Sequence, residues 1–137
     1  MLESLIRDLI TELPQAVRLQ RLTGALRQHF HCGAVALLQR EDDTLRPIAA
    51  DGLVHDALGR RFAVHQHPRL AAILSSPQPV CFPQDSVLPD PYDGLLEACA
   101  GEPLPVHDCL GIRLQVEDQI WGVLTLDALQ PGTFNQT

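Results

Sequence analysis

Residues 104–127 read LPVHDCLGIRLQVEDQIWGVLTLD, two runs of alternating side chains separated by a short polar turn. In the first run the even positions Leu104, Val106, Leu110, Ile112, Leu114 and Val116 are apolar, and only Asp108 departs from the pattern. The odd positions include His107, Cys109, Gly111, Arg113 and Gln115. Strand alternation therefore puts His107 and Cys109 on one face, away from the main apolar face. In the second run Ile120, Leu124 and Leu126 form the apolar set, and Trp121, Thr125 and Asp127 share the other side. A turn centred on Asp118 pairs Ile112 with Leu124, Leu110 with Leu126, and Cys109 with Asp127. A slip of one residue mismatches both faces, so the pattern selects this register. Directly opposed residues have Cβ atoms roughly 4.5 to 5.5 Å apart. A thiol, a carboxylate and an imidazole one pleat away then converge, and small Gly111 and Thr125 beside them are expected to leave room for a ligand.

Outward from this hairpin, the chain alternates helical and extended patterns. Leu2, Leu5, Ile6, Leu9, Ile10 and Leu13 form the stripe of an amphipathic helix over 2–13. Pro14 ends it or opens a second helix, which runs to about Gln28 with Leu19, Leu22 and Leu26 as its apolar stripe. Residues 33–38 read as a buried strand, Asp42-Asp43 as a turn and 45–50 as the returning strand. A turn at Asp51-Gly52 and a short helix through Leu58 follow. Pro68 suits the first turn of a helix that continues to about Leu74, and 80–82 form a short strand. Residues 84–103, rich in Pro, Asp and Gly, carry little regular structure, and a loop of that length inside a small domain is often functional. The order predicts one α+β domain with a central antiparallel sheet.

Hydrophobic residues make up 45% of the 137, enough for a core. The formal net charge of -7 argues against direct contact with nucleic acid or an anionic membrane, because both need clustered Lys and Arg. Charges interrupt the first apolar stripe, so no signal peptide is expected, and no run is long enough to span a bilayer. A cytoplasmic location is the expectation. Cys32, Cys81, Cys99 and Cys109 then read as reduced thiols without zinc-finger spacing.

Cys, His and Asp together are a credible donor set for iron or zinc. The same three residues also read as a small core side chain, a hydrogen-bonded imidazole and a strand end, and both readings stand on local evidence. The loop adds Asp90-Pro91-Tyr92-Asp93-Gly94, two carboxylates on a bent segment that also reads as an exposed turn. The pairs His29/His31 and His65/His67 have no thiol or carboxylate in register and read as non-ligands.

Four separated motifs now carry a resemblance: LGRRFAVHQHPRLAAI, LPDPYDGLL, His107-x-Cys109 and LTLDALQP. In that order they resemble the N-terminal GAF domain of NorR-type regulators, the nitric-oxide-sensing members of the bacterial enhancer-binding proteins. The resemblance covers nearly the whole chain. It implies a GAF domain with helices on one face of the sheet and a ligand pocket on the other. It also implies a mononuclear non-haem ferrous iron, Fe(2+), that binds nitric oxide, with Asp93, His107, Cys109 and Asp127 at the metal. Arg69 and Asp90 match further positions of the site. A guanidinium offers no lone pair, so Arg69 is assigned to charge balance and hydrogen bonding rather than to ligation. The implied partner is an adjoining AAA+ ATPase domain, held repressed until nitric oxide binds. That domain, a helix-turn-helix domain and the helix that closes a GAF domain are expected outside residues 1–137. The apolar stripes of the two N-terminal helices make self-association an expectation.

Two other readings follow from the same residues. One is a GAF-type methionine sulfoxide reductase with Cys109 as nucleophile and Cys81 or Cys99 as resolving thiol. Asp127 opposite Cys109 would raise that thiol's pKa, which disfavours it. The other is a metal-free GAF module for a small molecule such as a cyclic nucleotide, for which the sequence offers no phosphate-cradling loop.

Overall fold

A computed structural model describes residues 15–82, 88–89, 91–92, 95 and 108–128. The expected helix over 2–13, and any self-association through it, lie outside these residues. The described elements are helix α1 (Gln15–Phe30), strands β1 (Ala34–Glu41) and β2 (Thr44–Asp51), and a 3-10 turn at His55–Gly59. Strand β3 (Phe62–Ala63), a 3-10 turn at Val64–Gln66 and helix α2 (Pro68–Ser75) follow. Strands β4 (Val80–Phe82), β5 (Asp108–Val116) and β6 (Gln119–Ala128) complete the set. The six strands form one sheet in the order β3-β2-β1-β6-β5-β4, antiparallel throughout.

The closing hairpin has the register its alternation selects: Ile112 opposes Leu124, Leu110 opposes Leu126, and Cys109 opposes Asp127. Its turn differs in detail. Glu117 and Asp118 have φ of 51 and 69°, so both central residues are left-handed, as a two-residue turn matching strand twist requires. Gln115 pairs with Ile120 while Leu114 pairs with Gly122, which leaves Trp121 as the extra residue of a bulge on β6. The bulge offsets the shorter turn, so every pair from Leu114 toward the site keeps the expected partner.

Both sheet faces are covered. Helix α1 lies across β1 and β2 on the face of Val35, Leu110, Leu124 and Leu126, where Cys32 and Leu26 join a small cluster. Helix α2 lies over β4, β5 and β6 on the opposite face, where Leu70, Ile73, Phe82, Tyr92 and Cys109 belong to the larger cluster. The assignment of the main apolar face is therefore corrected. Cys109 points into the larger core, because α2 and the Tyr92 segment cover the side that alternation alone marked as polar.

Helix α1 is held to β2 by polar contacts. Gln20 Nε2 donates to the Ala50 carbonyl at 2.8 Å, and Arg27 pairs with Asp51 at 2.6 Å. Leu19, Leu22 and Leu26 are only half-buried, while Thr23 is fully buried and donates to the Gln20 carbonyl at 3.0 Å. The helix ends at a left-handed His31, φ 52°, with Cys32 N–H donating to the Arg27 carbonyl and His31 N–H to that of Gln28. Those bonds satisfy its last carbonyls.

Candidate functional site

Strand pairing lines up one row across four strands. Ala34 opposes Asp127, Asp127 opposes Cys109, and Cys109 opposes Phe82. Directly opposed residues share a face, so the whole row points into the core beneath α2. Cys109 and Asp127 are each 1% exposed. A thiol and a carboxylate this dry, side by side, form an unusual polar pair among apolar neighbours.

Arg69 closes the end of that row. Pro68 opens α2 at its first position, which suits its missing N–H and fixed φ, and Arg69 follows in the first turn. The Arg69 side chain is 3% exposed, its Nε donates to the Leu88 carbonyl at 2.9 Å, and its guanidinium carbon lies 5.1 Å from the centre of the Phe82 ring. Phe82 is the strand partner of Cys109. A guanidinium is thus packed against the ring of Phe82, itself a member of the thiol row.

The next row runs Ala50, Ala36, Thr125, Gly111 and Val80, all small or β-branched. The expected room at Gly111 and Thr125 is filled by the chain itself. A Cβ at Gly111 would lie 2.1 Å from Ile73 Cδ1, and the Tyr92 hydroxyl is 2.8 Å from Thr125 Oγ1. Sequence reasoning passed over Ile73 and Tyr92. The available signal was the chain's single tyrosine, embedded in the Asp-Pro-Tyr-Asp-Gly run. Leu95 N–H donates to the Tyr92 carbonyl at 2.9 Å, and Val54 N–H to that of Leu95 at 2.7 Å. This part of the long loop is therefore pinned to the core.

Asp90, Asp93 and His107 lie outside the described residues. Among the described residues, no three His, Cys, Asp or Glu side chains converge as a metal site would require. His29 and His31 are exposed at the end of α1. His67 is half-buried, packs edge-on to Phe62 at 5.2 Å, and has its pKa lowered by that burial.

The other described cysteines differ from Cys109. Cys81 opposes Leu110 on β4, so it faces the sheet side opposite to Cys109 and is badly placed to resolve a sulfenic acid there. Burial, with Asp108 adding to it, raises the Cys81 pKa. Burial pushes the Cys32 thiol from 9.0 up to about 11, with Asp127 contributing in the same direction. A thiol raised in the folded state stabilises the fold below its unfolded pKa, and that contribution is lost as pH rises through the folded value. Stability should therefore fall between about pH 9 and 11. Cys32→Ala should flatten this limb in urea denaturation across that range. An unchanged slope would assign the loss to another group.

Residues 16–137 match the GAF domain family, and the chain belongs to it. It is similar to the nitric oxide reductase transcription regulator NorR2 of Cupriavidus necator, with 65% identity over 135 residues, 98% of this chain and 26% of that protein. It is also similar to the anaerobic nitric oxide reductase transcription regulator NorR of Vibrio vulnificus, with 44% identity over 130 residues, 95% of this chain and 25% of that protein. The chain thus spans about a quarter of the length of these curated relatives. Among solved structures, the A. aeolicus nlh2 GAF domain in an inactive state superposes with a TM-score of 0.70 at 14% identity, covering 91% of this chain and 75% of that one. That likeness establishes the fold alone. Among the described residues, no helix is long and apolar enough to cross a membrane.

Proposed function

We propose that this chain is the sensory module of a nitric-oxide-responsive transcription regulator, and that it holds a mononuclear ferrous iron. The observation that carries the reading is the dry pair of Cys109 and Asp127, opposed across β5 and β6. The similarity to NorR2 and NorR supports it.

A carboxylate and a thiolate buried side by side repel each other unless a cation lies between them or a proton neutralises one. This donor pair fits a soft-to-borderline divalent metal. Asp127 and Cys109, with Asp93 and His107 by resemblance, would hold the iron. When bound, the iron would supply an open coordination position for nitric oxide. Asp93, Asp127 and Cys109 as anions leave one net negative charge against a dication, which the Arg69 guanidinium matches. Arg69, braced by the Leu88 carbonyl and the Phe82 ring, holds that charge at a fixed place. Asp90 is assigned to the surroundings of the metal rather than to ligation.

In the whole protein, this module represses an adjoining AAA+ domain until nitric oxide binds. Ligand binding changes that balance only if it interacts differently with the repressed and released states. Tyr92, bonded to Thr125 on β6, and Leu95, whose carbonyl accepts from Val54, are the described residues of the loop placed to report such a difference. The net charge of -7 leaves direct DNA contact to other domains.

Anaerobic reconstitution with ferrous iron, followed by nitric oxide and paramagnetic resonance, tests the reading. The expected result is a high-spin iron–nitric oxide signal that disappears in Cys109→Ala and Asp93→Ala. Its absence from a folded, iron-loaded chain overturns it. A second prediction separates charge balance from ligation. Arg69→Ala should retain most of its iron and change the nitric oxide response. A folded Arg69→Ala chain that binds no iron would make Arg69 essential to metal retention instead.

A further inference from the structure

Ile73 and Tyr92 pack onto the strand row next to the thiol–carboxylate pair. Thr125 is two residues before Asp127 on β6, and Gly111 is two residues after Cys109 on β5. The two oppose each other, so their row lies roughly 6.6 Å along the strands from the site row. Ile73 packs onto Gly111 so closely that any Cβ there would overlap its Cδ1 and Cγ1, at 2.1 and 2.4 Å. The Tyr92 ring stands on Thr125 through its hydroxyl and is braced edge-on by Phe62 at 5.7 Å. Both Ile73 and Tyr92 are 1% exposed. The small residues of this row form a floor, and the chain's own side chains cover it.

We propose that Ile73 and Tyr92 are specificity-determining residues that fill the concave face beside Cys109 and Asp127 and restrict the site to ligands the size of a diatomic gas. The inference deepens the nitric oxide reading and rests on it for the identity of the ligand. Bulk on this floor excludes by sterics, which act in a close-packed interior at the scale of a single methyl group. Ile73 is the more informative of the two, because it lacks a polar atom and its truncation opens an apolar cavity. Apolar cavities of this kind stay dry and take up benzene or xenon. Gly111 matters as much as Ile73, since only the absence of a Cβ lets the isoleucine seat so deeply.

The test uses benzene and xenon as probes, titrated into the metal-free chain and followed at the backbone amides of Cys109, Gly111 and Thr125. The wild-type chain is expected to show no saturable binding of benzene, whereas Ile73→Ala is expected to bind it saturably. Ile73→Val, which loses one methyl and retains the fold, should gain saturable xenon binding at the same amides. In the ferrous chain, saturating benzene should suppress the nitric oxide signal of Ile73→Ala and leave the wild-type signal unchanged. Benzene binding to the wild type at those amides, or no gain of probe binding in either variant, overturns the proposal. Absence of a nitric oxide signal in the wild type overturns the sensor reading, while the metal-free titrations still decide the filter.

Discussion

Gly52→Ala is expected to unfold the chain or bring it to the edge of unfolding. Gly52 has φ 93°, a backbone conformation that an L side chain adopts only under strain, at a cost of roughly 1 to 3 kcal/mol. Conformation is the smaller part of the problem. A Cβ at this position would lie 2.1 Å from the Gly33 carbonyl oxygen and 2.9 Å from Ala34 Cα. Both atoms are backbone, so no rotamer change relieves the overlap, and the start of β1 must move. That start is tied to the site, because Gly33 N–H donates to the Asp127 carbonyl at 2.7 Å. Strain and displacement together should cost about 4 kcal/mol or more, a large share of the roughly 5 to 15 kcal/mol that stabilises a domain. Gly59 is the control, since nothing lies within 4 Å of its added Cβ and its φ is ordinary. Urea denaturation should place Gly59→Ala at or slightly above the wild-type midpoint and Gly52→Ala far below it. Equal midpoints would mean that β1 yields more easily than its backbone contacts imply.

Asp127→Asn should abolish iron retention while leaving the fold intact. The substitution is nearly isosteric, keeps the backbone carbonyl that accepts from Gly33, and removes only the charge. An amide is a poor ligand for iron beside a thiolate. Even loss of a supporting partner outside the ligand set commonly weakens metal binding about 10- to 100-fold, so loss of an anionic ligand should exceed about 100-fold. Stability should stay within about 1 kcal/mol of wild type, because a fully buried site keeps its volume. A further consequence distinguishes charge from packing. Asp127 helps to hold the Cys32 thiol near 11, so Cys32 should ionise at lower pH in the variant. Iron content after reconstitution, thermal unfolding and thiol titration together read the outcome. Full iron loading of a folded Asp127→Asn chain would remove Asp127 from the ligand set.

Five of the six strands and the GAF fold were largely legible in the sequence, because each of those strands is a local apolar or alternating run; the two-residue β3 at Phe62–Ala63 is too short to carry a pattern of its own. Helix α1 was legible in position and less so in its buried face. Its leucines stay half-buried while Thr23 is the buried residue, and polar contacts from Gln20 and Arg27 tie the helix to β2. The candidate site was legible in part. Opposition of Cys109 and Asp127 follows from hairpin pairing, and the placement of Arg69 at the first turn of α2 follows from Pro68. The aromatic brace of Phe82 against Arg69, and the hydrogen bond between the Tyr92 and Thr125 hydroxyls, were not legible. Each joins segments far apart in the chain, 33 residues in the case of Tyr92 and Thr125.

By itself, then, the sequence determined the register of the closing hairpin and with it the thiol–carboxylate pair. A period of two leaves no tolerance for a one-residue slip, and the bulge at Trp121 compensates for the tight turn at Glu117-Asp118. Only the tertiary structure decided which side of that hairpin is the principal core and how much space lies beside the pair. Alternation sorts side chains onto two faces and says nothing about what will cover each. Helix α2 and the Tyr92 segment cover the Cys109 face, and Ile73 and Tyr92 fill the floor that Gly111 and Thr125 lay open.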